Sequence, residues 1–247
     1  MLHNPDFWMV ALPVIFIGYF MFGISGFGAS LITVPLLSHV ESPAHLLPML
    51  VLLDISAALI LGARFRADME RREVAGLIPF TVLGCALGVT LLVKLPREAL
   101  MIAIGVFTLF YAAYQLYDPV EIKPISRAWA APAGFIGGMM GTLFGAGAPP
   151  YVMYLTRRVA DKSALRSTIA AMAVLAIGAR LLAFTGAGLM FIPEPWLIAL
   201  LLAPAAGLGL YCGHRVHLRI NRKQMLRAIF VMLLVSGGTL LARALAQ

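Results

Sequence analysis

Long apolar stretches alternate along the chain with short polar connections, and their lengths suit a bilayer rather than a soluble core. The apolar blocks run over about 8–38, 44–63, 74–93, 98–117, 128–156, 167–189, 196–213 and 225–242. Most are close to the roughly 20 residues that an α-helix needs to cross a membrane, so each predicts a transmembrane helix. Two blocks are too long for one span and carry glycine and proline where leucine would serve a continuous helix. The first is interrupted at Gly23-Ile24-Ser25-Gly26-Phe27-Gly28-Ala29-Ser30, the second at Gly141-Thr142-Leu143-Phe144-Gly145-Ala146-Gly147-Ala148-Pro149-Pro150. Glycine has no Cβ to restrict its backbone and proline has no N–H to donate, so the helical ladder should stop at both places. Gly26, Gly28 and Ala29 fall on Gly145, Gly147 and Ala148 at one offset of 119 positions, and Gly88 falls near Gly207 in that register.

A duplicated break has a functional meaning in a membrane chain. Irregular backbone survives in hydrocarbon only where protein or a water-filled cavity satisfies its N–H and C=O groups, and interruptions at corresponding places in two halves mark a transporter's binding site. Each broken block makes either one kinked span or a hairpin that enters and leaves on the same side, and the loop charges choose between these. Basic residues favour the cytoplasmic side. Arg64, Arg66, Arg71 and Arg72 follow the second block, Arg157, Arg158, Lys162 and Arg166 follow the second break, and Arg215, Arg219, Arg222, Lys223 and Arg227 precede the last block. With hairpins, all of these and the Lys123/Arg127 linker lie inside, leaving only Lys94, Arg97, Arg180 and Arg243 elsewhere. The expected fold is therefore an all-α polytopic membrane protein with both chain ends outside. It is built as two inverted repeats, each a broken-helix hairpin plus three transmembrane helices. It forms a single transmembrane domain over 1–247, with repeat 1 at about 8–118, a linker at 119–127 and repeat 2 at about 128–244.

Composition narrows the function classes. The chain is 61% apolar and 12% charged, with a mean hydropathy of +0.92, against about 25% charged residues in soluble domains. Its longest charged connection, Arg64 to Glu73, is too short to fold alone and reads as a solvated cytoplasmic turn. The net charge of +8 is spread over short loops beside apolar blocks, as topology requires, so no nucleic-acid partner is expected. The first six residues carry no Lys or Arg, and the first segment is expected to be retained rather than cleaved. Cys85 and Cys212 sit inside apolar blocks as packing residues. His39, Glu41 and His45 match no metal-ligand spacing, and no nucleophile-and-base set or phosphate loop is present, so neither metal, cofactor nor catalytic residues are expected.

Two ionisable residues stand deep in apolar helices. Asp54 and Arg180 lie near mid-membrane in corresponding helices of the two halves, where a charge costs at least about 2.5–3.5 kcal/mol on insertion scales, so each needs a partner or a cavity. Arg180 can hold an anion through its planar, permanently charged fork. Asp54 reads as a coupling site for a proton or cation, or as the counter-ion of Arg180. The alternative for both is a structural ion pair. The helix starts after the breaks offer N–H groups to an oxyanion. The substrate-binding candidates are Ser25, Gly26, Phe27, Gly28, Ala29, Ser30, Thr142, Gly145, Ala146, Gly147, Ala148 and Arg180, with Thr33 a further hydroxyl nearby. Tyr151 and Tyr154 read as packing or interface residues.

The segments Gly23 to Leu37 and Gly141 to Leu155 resemble the repeated signatures of the TauE/SafE sulfite exporter family, and the resemblance extends over essentially the whole chain. Ala29 and Ala148 stand where the family commonly has glycine, which narrows the opening. The resemblance implies transport of small sulfur-containing or related organic anions, such as sulfite or sulfonates, across the cytoplasmic (inner) membrane. The expectation is a multi-pass secondary transporter working by alternating access, its anion held between the two breaks, with lipid as its surroundings and a proton or cation as coupling ion. Two other readings stand beside it, a passive anion channel and, further off, a membrane-embedded enzyme acting on an anionic substrate.

Overall fold

In the computed structural model, residues 5–25, 29–62, 69–116, 125–216, 234 and 237–239 are described. All the elements among them are helical: α1 (Pro5–Ser25), α2 (Ala29–Leu37), α3 (Pro43–Gly62), α4 (Arg71–Lys94), α5 (Arg97–Leu116), a 3-10 turn (Arg127–Trp129), α6 (Ala130–Phe144), α7 (Ala148–Leu155), α8 (Lys162–Gly186) and α9 (Pro193–Val216). Five of them, α1, α3, α4, α8 and α9, are long and apolar enough to cross a membrane. The all-α membrane fold read from the apolar blocks is therefore correct. Most of the last apolar block, the Arg64–Asp68 stretch, most of the linker and the cluster Arg219 to Arg227 lie outside the described residues.

Contacts divide the chain into two compact units that interleave along the sequence. The first comprises Met1–Leu50, Lys94–Asp118 and Pro193–Gln247; the second comprises Val51–Val93 and Pro119–Ile192. Within the first unit α1 packs along α9 at backbone contact distance. A Cβ on Gly209 would run into Phe16 O, and one on Gly213 into Phe20 O. Small residues four apart are what lets two membrane helices approach this closely. Within the second unit α4 meets α6 in the same way, a Cβ on Gly84 colliding with Phe135 O and one on Gly88 lying 3.1 Å from Met139 O. Phe16 and Phe20 fall on Phe135 and Met139 at the offset of 119, so the contacts align Gly84 and Gly88 with Gly209 and Gly213. The register that set Gly88 beside Gly207 is corrected: Gly207 has nothing within 4 Å of its Cβ position.

Both breaks make hairpins rather than kinked spans. In the second unit, a Cβ on Gly141 would touch Gly147 at 3.4 Å, and one on Gly137 would lie 2.5 Å from the Tyr151 ring. Later residues of α7 thus meet earlier residues of α6, and the chain doubles back. In the first unit Gly18 of α1 receives the Thr33 methyl of α2 in the same sense. The core of the second unit gathers Val74 and Leu77 of α4, Tyr151, Tyr154 and Leu155 of α7, and Met172 of α8.

Candidate substrate-binding site

The second break is built from its glycines. α6 ends because Gly145 takes left-handed backbone at φ 69°, a conformation that costs an L side chain about 1–2 kcal/mol. The Gly145 N–H donates to Gly141 O (3.1 Å) and the Ala146 N–H to Met140 O (3.4 Å), which closes the end of α6. Gly147 precedes α7 without a side-chain cap, and Pro149 and Pro150 have no N–H. The donors at the start of α7 are therefore the Gly147 and Ala148 amides. Gly147 has a further reason to be glycine, since a Cβ there would sit 2.5 Å from Gly137 O.

Arg180 of α8 reaches this break, and it is only 4% exposed. Its Nη1 donates to Gly141 O at 2.9 Å and its Nη2 to Asp54 Oδ2 at 2.7 Å. Asp54, on α3, is buried as well. One guanidinium thus ties α3, α6 and α8 together within the second unit and places a cation on a helix C-terminal carbonyl, the end that the helix dipole makes negative. The Nε of Arg180 is buried and has no hydrogen-bond partner. Thr142, fully buried, donates its hydroxyl back to Gly138 O at 2.9 Å.

These positions gather most of the predicted second-break residues, Thr142, Gly145, Ala146, Gly147, Ala148, Arg180 and Asp54, in one unit. The first-break residues belong to the other unit. Ala29 and Ser30 are buried at the start of α2, and the Thr33 hydroxyl is buried without a partner. Gly26, Phe27 and Gly28, and the side chain of Ser25, lie outside the described residues.

A second polar cluster was misread in the sequence. Glu73 is 5% exposed rather than solvated. It accepts hydrogen bonds from Tyr154 Oη (2.5 Å), Arg127 Nη2 (3.0 Å) and Arg158 Nη2 (3.0 Å), while Arg158 Nη1 donates to Ile125 O (3.1 Å). Tyr154 is therefore a polar tie between α7 and α4 and not packing alone. In the turn after α7, the hydrogen bond to Glu73 and the charge of that carboxylate raise the pKa of Arg158. The signal was available in helical spacing: Glu73 stands in line with Leu77, Thr81, Gly84 and Gly88 on the buried face of α4. In the other flagged loop, His45 Nδ1 lies 3.1 Å from Glu41 Oε1. Burial raises the Glu41 carboxyl, but the Ser42 amide and His45 outweigh it and hold the group below its ordinary value. Among the described residues no three His, Cys, Asp or Glu side chains gather as metal ligands.

The family described as Sulfite exporter TauE/SafE matches residues 11–240. This chain belongs to the TauE/SafE family. Among curated proteins, the "Probable inner membrane transporter protein TsaS" of Comamonas testosteroni is 24% identical over 196 residues, which is 78% of this chain and 81% of that protein. No solved structure matches the chain. With its membrane-length apolar helices, this TauE/SafE member is a multi-pass inner-membrane transporter.

Proposed function

We propose that this TauE/SafE protein is a secondary transporter of small sulfur-containing or related organic anions, such as sulfite and sulfonates, working by alternating access. The observation that carries the reading is Arg180, a permanent cation kept 4% exposed beside a helix break. Its fork is oriented by Gly141 O and Asp54 and retains a buried Nε donor. In this reading the amides at Gly147 and Ala148 supply further donors, with Thr142, Gly145 and Ala146 shaping the approach. The first break, Ser25 through Ser30, is proposed to offer a second helix start to the same class of ligand.

Asp54 acts here as the resident counter-ion. An arriving anion competes with its carboxylate for the guanidinium, and a proton on Asp54 removes that competition, so anion and proton move in the same direction. The test is uptake into proteoliposomes of sulfite, methanesulfonate, sulfate and acetate, with and without a pH gradient. Saturable uptake that accumulates with the gradient is expected. Uptake that merely equilibrates under every gradient fits a channel instead, and no uptake across the panel removes the anion reading.

A further inference from the structure

We infer that the Tyr151 hydroxyl is a substrate-binding group that donates a hydrogen bond to an oxygen of the transported oxyanion, alongside Arg180 Nε. The inference rests on the anion reading above and adds to it the residue that completes the donor set of the second break.

Tyr151 sits in the first turn of α7, directly after Pro149 and Pro150, and is 4% exposed. Its hydroxyl is buried and has no hydrogen-bond partner. Thr81, Cys85 and Arg180 are the polar groups in range of it. None of them lies in hydrogen-bond geometry with it: Thr81 Oγ1, the nearest acceptor in range, donates to Leu77 O at 3.0 Å, Cys85 Sγ donates toward Gly138 O at 3.6 Å, and Arg180 has no acceptor. A hydroxyl left unpaired in a protein interior is costly, and phenylalanine would fill the same space without that cost. The fold also keeps room for the ring, because any side chain at Gly137 would strike it.

Comparison within the chain separates this hydroxyl from the needs of the hairpin. The position equivalent to Tyr151 in the first repeat is Ile32, buried with Met21 and Ile24, so a hairpin of this kind closes around an apolar residue there. One turn further along α7, Tyr154 shows what a structural tyrosine does here: its hydroxyl is bonded to Glu73. Tyr151 Oη and Arg180 Nε are thus two buried donors in one unit, and neither makes a hydrogen bond in the local structure. A ligand that satisfies both brings at least two acceptor oxygens and a negative charge, which is the chemistry of an oxyanion and not of an amine or a metal cation.

The test is Tyr151→Phe, with Tyr154→Phe as control. Affinity for sulfite and for methanesulfonate is measured on purified protein, and thermal unfolding is followed without anion. Tyr151→Phe should weaken binding roughly tenfold or more while the anion-free Tm stays level or rises. Tyr154→Phe should lower Tm and leave affinity unchanged. Wild-type affinity in Tyr151→Phe overturns the inference alone, as does a fall in its anion-free Tm, which would reveal a structural partner for the hydroxyl. Wild-type protein that binds neither anion overturns this inference and the anion reading together.

Discussion

Arg180 serves two acceptors with one planar group, so its replacements should not behave alike. Arg180→Ala strands the Asp54 carboxylate in the interior, and breaking a buried pair from one side costs about 3–5 kcal/mol. Adding Asp54→Asn removes the stranded charge and should recover part of that stability without restoring anion affinity. Arg180→Lys keeps the charge but cannot span Asp54 Oδ2 and Gly141 O as the fork does, so it should fall between wild type and alanine in both measurements. Denaturant unfolding and sulfite titration on the same samples check this, and a stable Arg180→Ala protein with normal affinity would sink the assignment. At this scale the sequence exposed Asp54 and Arg180 because charge is rare in apolar helices. The sequence named their pairing as one reading, which the ion pair bears out, but a separation of 126 positions gave no means of choosing it over a coupling site. Glu73 was hidden by company: two acidic and four basic neighbours made the segment look wet, although its spacing to Leu77 and Thr81 pointed inward.

The breaks belong to the scale of helices. Their location was legible to within a residue or two because Gly145 and the Pro149-Pro150 pair leave α6 and α7 no common ladder. That each break is a hairpin followed from loop charge, and the Gly141 to Gly147 and Gly137 to Tyr151 approaches bear it out. What the sequence could not tell was the role of each glycine. Gly145 is needed for its backbone angle, whereas Gly147, at φ −78°, is needed for its missing Cβ. Gly147→Ala should therefore already be harmful, because the new methyl meets the backbone oxygen of Gly137 and not the tip of a flexible side chain. The expected result is less monodisperse protein, with uptake per folded molecule maintained; Gly145→Ala should cost about 1–2 kcal/mol. Full yield of Gly147→Ala would show that α7 can shift away from α6.

For the whole molecule, the distribution of basic residues yields a topology that can be measured. Single cysteines at 68 and 162 should be shielded from a membrane-impermeant thiol reagent applied from outside, while cysteines at 41 and 189 should react. Labelling at 162 without labelling at 68 would sink the inverted arrangement. The paired motifs pointed to a duplication, and nothing in them spoke of packing. The compact units do not follow the order of the repeats: the first-repeat hairpin is packed on α9 of the second, and the second-repeat hairpin on α4 of the first. A motif aligned to its copy says that two segments are alike, and says nothing about which segment each one touches.

That crossing sets a timetable for synthesis. α4 leaves the ribosome ahead of α6, and the Gly84 to Phe135 contact can close after roughly 50 further residues, which is about 3–10 s at bacterial or eukaryotic elongation rates. The Phe16 to Gly209 contact spans roughly 190 residues, so α1 waits about 10–40 s for its partner. Throughout that interval the seam that α9 will cover is open to lipid and to every other helix inserting nearby. The second unit is thus the first to be complete, and the newborn protein depends on the insertion machinery, or on the annular lipids, to keep the first hairpin from finding the wrong neighbour.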